Sequence, residues 1–156
     1  MFPTHAVQIN GDSWGDTGSL EPGADDDIAP RLGRMDGKRF FAMLLWKMPP
    51  GKGLEDVDPW EGSTEYIQCA GSAERMTVEV RRIAGGKAEQ YVIGRPPTGG
   101  NSASEETIHW DGHDTTVHAN EVFTADEAAK LFLSYYRTGW VPSSGYVLRL
   151  LDLERQ

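Results

Sequence analysis

The chain has 156 residues, 38% of them hydrophobic, and 24 acidic residues against 15 Lys and Arg give a formal charge of −9. This length predicts one domain, residues 1–156, with a core of its own. The acidic excess argues against binding nucleic acid or an anionic membrane surface, because both attract clustered cations.

The sequence also indicates a compartment. A single cysteine, Cys69, cannot form an internal disulfide. The N-terminus lacks the cationic start and apolar stretch of a secretory signal. The longest apolar run, residues 40–46, falls far short of the roughly 20 residues that cross a bilayer. We therefore expect a cytoplasmic protein without a membrane segment.

The first third of the chain predicts two ordered pieces separated by loops. A short strand at residues 5–9 precedes a glycine-rich loop at 10–27. Asp26 or Asp27 is placed to cap a short helix that runs to about Met35. The near-continuous apolar run within residues 39–47 then predicts a strand buried on both faces, followed by a second loop at 48–64.

The middle of the chain predicts antiparallel strands. Residues 65–70 form one, and residues 75–83 alternate apolar with polar side chains, as in a half-buried strand. A Gly-Gly turn leads into another strand at 89–93. After a loop at 95–105, strands at 106–110 and 115–119 flank an Asp-Gly hairpin turn.

The C-terminal third carries the clearest helix signal. Thr124 and Glu127 have the spacing of a capping box, apolar residues then recur on one helical face, and Gly139 followed by Pro142 ends the helix. Residues 145–153 return as a final strand. The predicted fold is therefore α+β: a mainly antiparallel sheet with a short N-terminal helix and a longer C-terminal helix packed on it.

Three histidines form the best candidate for a metal site. His109, His113 and His118 lie within ten residues, and the predicted hairpin could place His109 opposite His118, with Asp111 or Asp114 as a fourth zinc ligand. The alternative is that these are solvent-facing strand residues, because His113 lies near the tip and no HExxH spacing is present. We favour the second interpretation and expect no metal or cofactor.

No catalytic group stands out. Cys69 lies in an apolar strand pattern that predicts a small buried residue rather than an activated thiolate. The sequence contains no Gly-x-Ser-x-Gly elbow and no phosphate-binding glycine loop with its lysine. We expect no catalytic residues and no enzyme activity.

The acidic residues are strongly segregated. Eighteen of the 24 lie in three acidic segments without Lys or Arg: residues 1–30, 54–66 and 101–127. Such surfaces either keep a protein soluble or attract a cationic partner. Trp60 lies among acidic residues and Trp140 follows the end of the helix, so each is either an exposed interface hot spot or, as we favour, a loop anchor that folds back onto the protein. The candidate partner-binding residues are Asp25, Asp26, Asp27, Glu55, Asp56, Asp58, Trp60, Glu61, Glu105, Glu106, Asp111, Asp114 and Trp140.

The C-terminal region resembles a known family. Residues 121–129, Glu-Val-Phe-Thr-Ala-Asp-Glu-Ala-Ala, are followed by Leu131-Phe132, Tyr135-Tyr136, Thr138-Gly139 and Pro142. This pattern resembles the end of immunity protein family 1 of bacterial polymorphic-toxin systems, and the likeness extends over about residues 28–153. The last strand departs from it, because Tyr146 and aliphatic residues stand where that family has a Trp-containing strand.

The resemblance implies an α+β protein that binds a co-encoded toxin, often a nucleic-acid deaminase or nuclease, and occludes it without catalysis. An active cleft that handles polyanions is basic, and acidic segments would complement it. Two alternatives remain. One is a small metal protein or enzyme built on His109, His113 and His118, and the other is an acidic nucleic-acid mimic that inhibits another DNA-binding protein.

Overall fold

The fold is α+β, as the sequence predicts. The computed structural model describes residues 5–10, 13–16, 28–48, 51, 64–96 and 104–153, with the backbone alone at 13–16. The main-sheet strands are β1 (His5–Ile9), β2 (Ser13–Asp16), β3 (Ala42–Lys47), β4 (Tyr66–Gly71), β5 (Met76–Ala84), β6 (Lys87–Gly94) and β9 (Val147–Leu150). The other elements are α1 (Ile28–Leu32), α2 (Ala125–Thr138), a 3₁₀ turn (Ala119–Glu121), and the strands β7 (Glu105–Trp110) and β8 (His113–His118).

Within the described residues the main sheet has seven strands in the order β2-β1-β3-β4-β5-β6-β9, and all neighbouring strands are antiparallel. Strands β7 and β8 form a separate two-stranded sheet. The predicted strands of the hairpin are therefore correct, but they do not belong to one continuous sheet.

Several predicted boundaries are wrong, and the final strand spans only Val147–Leu150 rather than residues 145–153. Residues 10–27 are not all loop, because β2 pairs with β1 from Ile9↔Ser13 to Ala6↔Asp16. Helix α1 ends at Leu32 rather than near Met35. Strand β3 starts at Ala42 rather than residue 39, because the Asp36 carboxylate accepts three backbone N–H groups from residues 38–40 and holds them in a turn. The predicted caps Asp26 and Asp27 lie outside the described residues.

Helices α1 and α2 cover one face of the sheet. Neighbouring strands contribute the buried row Val7, Leu45, Ile67 and Val80 to this face. Helix α2 packs its buried stripe, which includes Phe132, against that row. Each such side chain contributes about 1.5–3 kcal/mol by leaving water.

Both predicted ends of α2 are confirmed. Thr124 is the N-cap, its side chain accepts the Glu127 N–H, and Glu127 accepts the Thr124 N–H in return. Gly139 closes the helix at φ +81°, in the left-handed region that favours glycine. No helix in the described part of the chain is long and apolar enough to span a bilayer.

The β7–β8 hairpin packs on the other face of the sheet. Its buried residues are Ile108 and Val117. At Gly71, with φ +131°, an added Cβ would lie 2.9 Å from the Ile108 Cγ2. The Arg75 carbonyl oxygen would be closer still, at 2.3 Å, so glycine is needed here for the turn between β4 and β5 as well as for the approach of the hairpin.

Candidate functional site

The Asp-Gly turn of the hairpin sets the positions of the three clustered histidines. Asp111 and Gly112 both have positive φ, 48° and 77°, as a two-residue hairpin turn requires. This turn places His109 opposite Asp114, and Glu105 opposite His118. The expectation that His109 and His118 face each other is therefore wrong.

Each of the three histidines has its own contact. His109 Nδ1 is hydrogen-bonded to the Asp114 carboxylate, and the His113 ring centroid lies 4.8 Å from that of Trp110. His118 Nδ1 lies 4.0 Å from the Glu121 carboxylate. Among the described residues no three His, Cys, Asp or Glu side chains are grouped closely enough to hold a metal ion.

The hairpin carries the four predicted partner-binding acids that the structure describes. Glu105, Asp111 and Asp114 are exposed. Glu106 is half-buried and accepts from Arg75 Nη2 at 3.2 Å. The hairpin itself contains no Lys or Arg, so its turn and outer strand positions present a negative surface.

Arginines from distant segments neutralise part of the acidic segment 101–127. Besides Glu106, Glu127 pairs with Arg95 at 3.1 Å, and Glu121 pairs with Arg149 at 2.8 Å. Three of the seven acids that the sequence leaves unopposed thus have a cationic partner in the fold. The negative surface is smaller than the sequence suggests.

Glu121 is a structural carboxylate. Its side chain is 3% exposed, accepts from Arg149 Nε and Nη2 at 2.8 and 2.9 Å, and also accepts the His118 N–H at 2.7 Å. Burial alone would raise the pKa of Glu121, but these hydrogen bonds outweigh burial and the pKa is lowered. Glu121 thereby links the end of the hairpin to β9.

Trp140 is half-buried rather than exposed beside acid. The Arg82 guanidinium lies 4.9 Å from the centre of the Trp140 ring, and Tyr91 meets that ring edge-on at 6.3 Å. Trp140 therefore anchors the chain after α2, which is the loop-anchor alternative given in the sequence analysis. The candidates Asp25, Asp26, Asp27, Glu55, Asp56, Asp58, Trp60 and Glu61 lie outside the described residues.

Cys69 occupies the buried strand position that the sequence predicts. Its side chain packs in the core, and burial raises the pKa of its thiol to about 12. A thiol in this state is a poor nucleophile at neutral pH.

The structure adds a cleft that the sequence analysis missed. It has a volume of about 170 Å³ and lies between the hairpin and the main sheet. Its lining includes Gln68, Thr77 and Glu79 from the sheet and Trp110 and Thr115 from the hairpin. The alternation in β5 did identify Thr77 and Glu79 as the polar face of the strand, but nothing local in the sequence indicates that a hairpin covers this face.

Comparison with known proteins gives no family: no family model matches the sequence, and no curated protein or solved structure is a match.

Proposed function

We propose that the chain is an immunity protein that binds a bacterial toxin encoded beside it and neutralises it in the cytoplasm of the producing cell. In this proposal the toxin is a nucleic-acid deaminase or nuclease, and inhibition is by binding, with no catalytic step. The observation that carries the proposal is the β7–β8 hairpin, which exposes Glu105, Asp111 and Asp114 and contains no Lys or Arg.

The charge of the hairpin supports a basic partner. An enzyme that acts on nucleic acid lines its cleft with Lys and Arg to meet the phosphates. Exposed carboxylates on the outer side of the hairpin complement such a cleft and accelerate the encounter. The resemblance of residues 121–142 to immunity protein family 1 supports the same function.

Co-expression with the neighbouring open reading frame tests the proposal. We expect the full chain to restore growth of a bacterial host that produces the neighbouring protein, and the two proteins to co-elute on gel filtration. Continued toxicity with no complex would show that the proposal is wrong. A partner encoded elsewhere in the genome would favour the nucleic-acid mimic instead.

A charge variant tests the hairpin itself. Replacing Asp111 and Asp114 by asparagine should slow association by roughly three- to tenfold at low salt and flatten its salt dependence. The matched control removes two carboxylates from the helix-covered side, with Glu89→Gln and Asp126→Asn. Equal effects of the two double variants would show that net charge matters and the hairpin does not.

A further inference from the structure

The cleft beneath the hairpin contains the Glu79 carboxylate, which accepts hydrogen bonds from two side-chain amides. Glu79 Oε1 accepts hydrogen bonds from the Nε2 groups of Gln68 and Gln90. Glu79 Oε2 has no hydrogen-bond partner among the described residues, and no ion pair joins Glu79 to a cation there. The nearby Arg149 directs both Nε and Nη2 to Glu121. One carboxylate oxygen is therefore left to accept from a ligand.

Two further groups in the lining lack a partner. Thr77 is 4% exposed, and its Oγ1 is buried without a hydrogen-bond partner in the described part of the chain. Leaving such an atom unpaired costs about 1–3 kcal/mol. Gln68 donates one of its two Nε2–H groups to Glu79, and its acceptor Oε1 has no hydrogen-bond partner among the described residues.

The other walls are apolar. Ala42 and Ala70 face each other across β3 and β4 and line the cleft. The Trp110 indole donates its N–H to Thr115 Oγ1 at 2.9 Å, so it offers the cleft an apolar surface rather than a donor. Acceptors at one end and hydrocarbon along the sides suit a ligand with a cationic head on an aliphatic stem.

The size of the cleft narrows the choice of ligand. Pockets that hold drug-sized ligands and cofactors measure about 300–1,000 Å³, whereas this cleft measures about 170 Å³. We propose that it receives one Lys or Arg side chain of the bound partner, with the head group donating to Glu79 and the stem lying against Trp110. This inference rests on the function proposed above and adds the residue type that the partner inserts.

A titration of the full chain tests the cleft without the partner. The probe is lysine blocked as N-acetyl-lysine N-methylamide, and the readout is the indole N–H signal of Trp110, assigned with a Trp110→Phe variant. We expect a saturable shift with a Kd on the order of millimolar. The norleucine analogue, which has the stem but no ammonium, should cause no shift.

Variants identify the groups that bind. Glu79→Gln should weaken binding of the blocked lysine at least tenfold, and Thr77→Val should weaken it less. Glu89→Gln, which removes a carboxylate that pairs with Arg82 on the helix-covered side of the sheet, should leave the Kd unchanged. A dispersed amide spectrum of each variant shows that it is folded.

Several outcomes would overturn the inference. They are equal binding of the norleucine analogue, unchanged binding by Glu79→Gln, and tighter binding of free lysine than of the blocked form, which would make the cleft a site for a free amino acid.

Growth rescue of the bacterial host separates the cleft proposal from the immunity proposal. If Glu79→Gln protects the host and binds the partner as well as the original chain does, the immunity function stands and the cleft assignment falls. If the original chain gives no complex, the immunity function falls, while the lysine titration still reports on the cleft.

Discussion

His5 is a buried ionisable group at the start of the sheet. It is 4% exposed and its ring centroid lies 4.4 Å from that of Tyr136. Burial, and secondarily the positive charge of Lys47, lowers the pKa of His5 from 6.5 to about 4. The folded protein therefore keeps this imidazole neutral at pH values at which the unfolded chain protonates it.

The pKa of His5 predicts a pH dependence of stability. Because only the unfolded state takes up the proton, the His5 contribution is complete above pH 6.5 and is lost as the pH falls toward about 4. Its maximum loss is about 3 kcal/mol of the free energy of unfolding. Urea unfolding at pH values from 7 to 5 should show this decline. His5→Phe, which retains an aromatic ring beside Tyr136, should flatten it, and an unchanged slope would contradict the assignment.

The buried thiol of Cys69 predicts a slow rate of alkylation in the folded protein. Because burial raises the pKa of the thiol to about 12, alkylation by iodoacetamide at pH 8 should be roughly a thousandfold slower in the folded protein than in urea. Mass spectrometry at timed intervals gives both rates. Similar rates in the two conditions would mean that Cys69 is accessible.

The sequence predicts well those helices and strands whose ends are marked by nearby cap or turn residues. Helix α2 carries its own start and stop, Thr124 and Gly139, within a few residues of each end. Strand β2 has no such signal, because Ser13–Asp16 contains glycine and aspartate and becomes a strand only through its pairing with β1. The same limit hid the cleft, which exists only because a hairpin distant in sequence packs over β4 and β5.

The histidine register could have been predicted correctly. A two-residue turn at Asp111-Gly112 pairs residue 110 with 113, and each step along the strands then fixes the next pair. Counting outward from the turn gives His109 opposite Asp114, without any knowledge of the tertiary structure. The turn therefore fixes which residues face each other, whatever the chemistry of their side chains.

The pair Glu121–Arg149 joins the 3₁₀ turn to β9 through two hydrogen bonds. Because Glu121 is buried and both partners are charged, we expect Glu121→Gln or Arg149→Met to lower the free energy of unfolding by about 2–3 kcal/mol. Chemical denaturation of the two single variants and the double variant gives their coupling.

The double variant also shows whether Glu121 and Arg149 stabilise the protein through each other. If the pair holds the two elements together, the double variant should be less destabilised than the sum of the single variants. Additive losses would show that the two side chains act independently. Thr138→Ala, in which an exposed side chain at the end of α2 is truncated, serves as an unrelated additive control for Glu121→Gln.

For the whole molecule, the fold changes the meaning of the charge distribution. Arg75, Arg95 and Arg149 each reach an acid 28 to 32 residues away in sequence. Counting charges along the sequence places these carboxylates in a segment without Lys or Arg, whereas in the fold each is paired with an arginine. The sequence therefore predicts the sign of the surface but overstates its charge.

The exposed edge of the main sheet at β9 predicts that solubility depends on that charge. Strand β9 is the outermost described strand on its side of the sheet, and Leu150 on it is 59% exposed. Near pH 4.8, the calculated isoelectric point, charge repulsion no longer keeps such edges apart. We expect light scattering to rise as the pH falls to this value, and Leu150→Lys to reduce the rise.

The control for this prediction adds the same charge elsewhere. Ser143 is exposed and lies outside the strands, so Ser143→Lys changes the net charge equally without altering the edge. If both variants reduce scattering to the same extent, the edge strand is not responsible.

The turn of the hairpin contacts a turn that is followed by two basic residues. The Asp111 N–H donates to the Gly37 carbonyl at 2.8 Å, and Lys38 and Arg39, which follow Gly37, are both exposed. Negative and positive groups therefore border each other across this contact, which gives the surface a local electric dipole. A charged molecule approaching it experiences a torque as well as an attraction, so it is turned toward one orientation before the two surfaces meet.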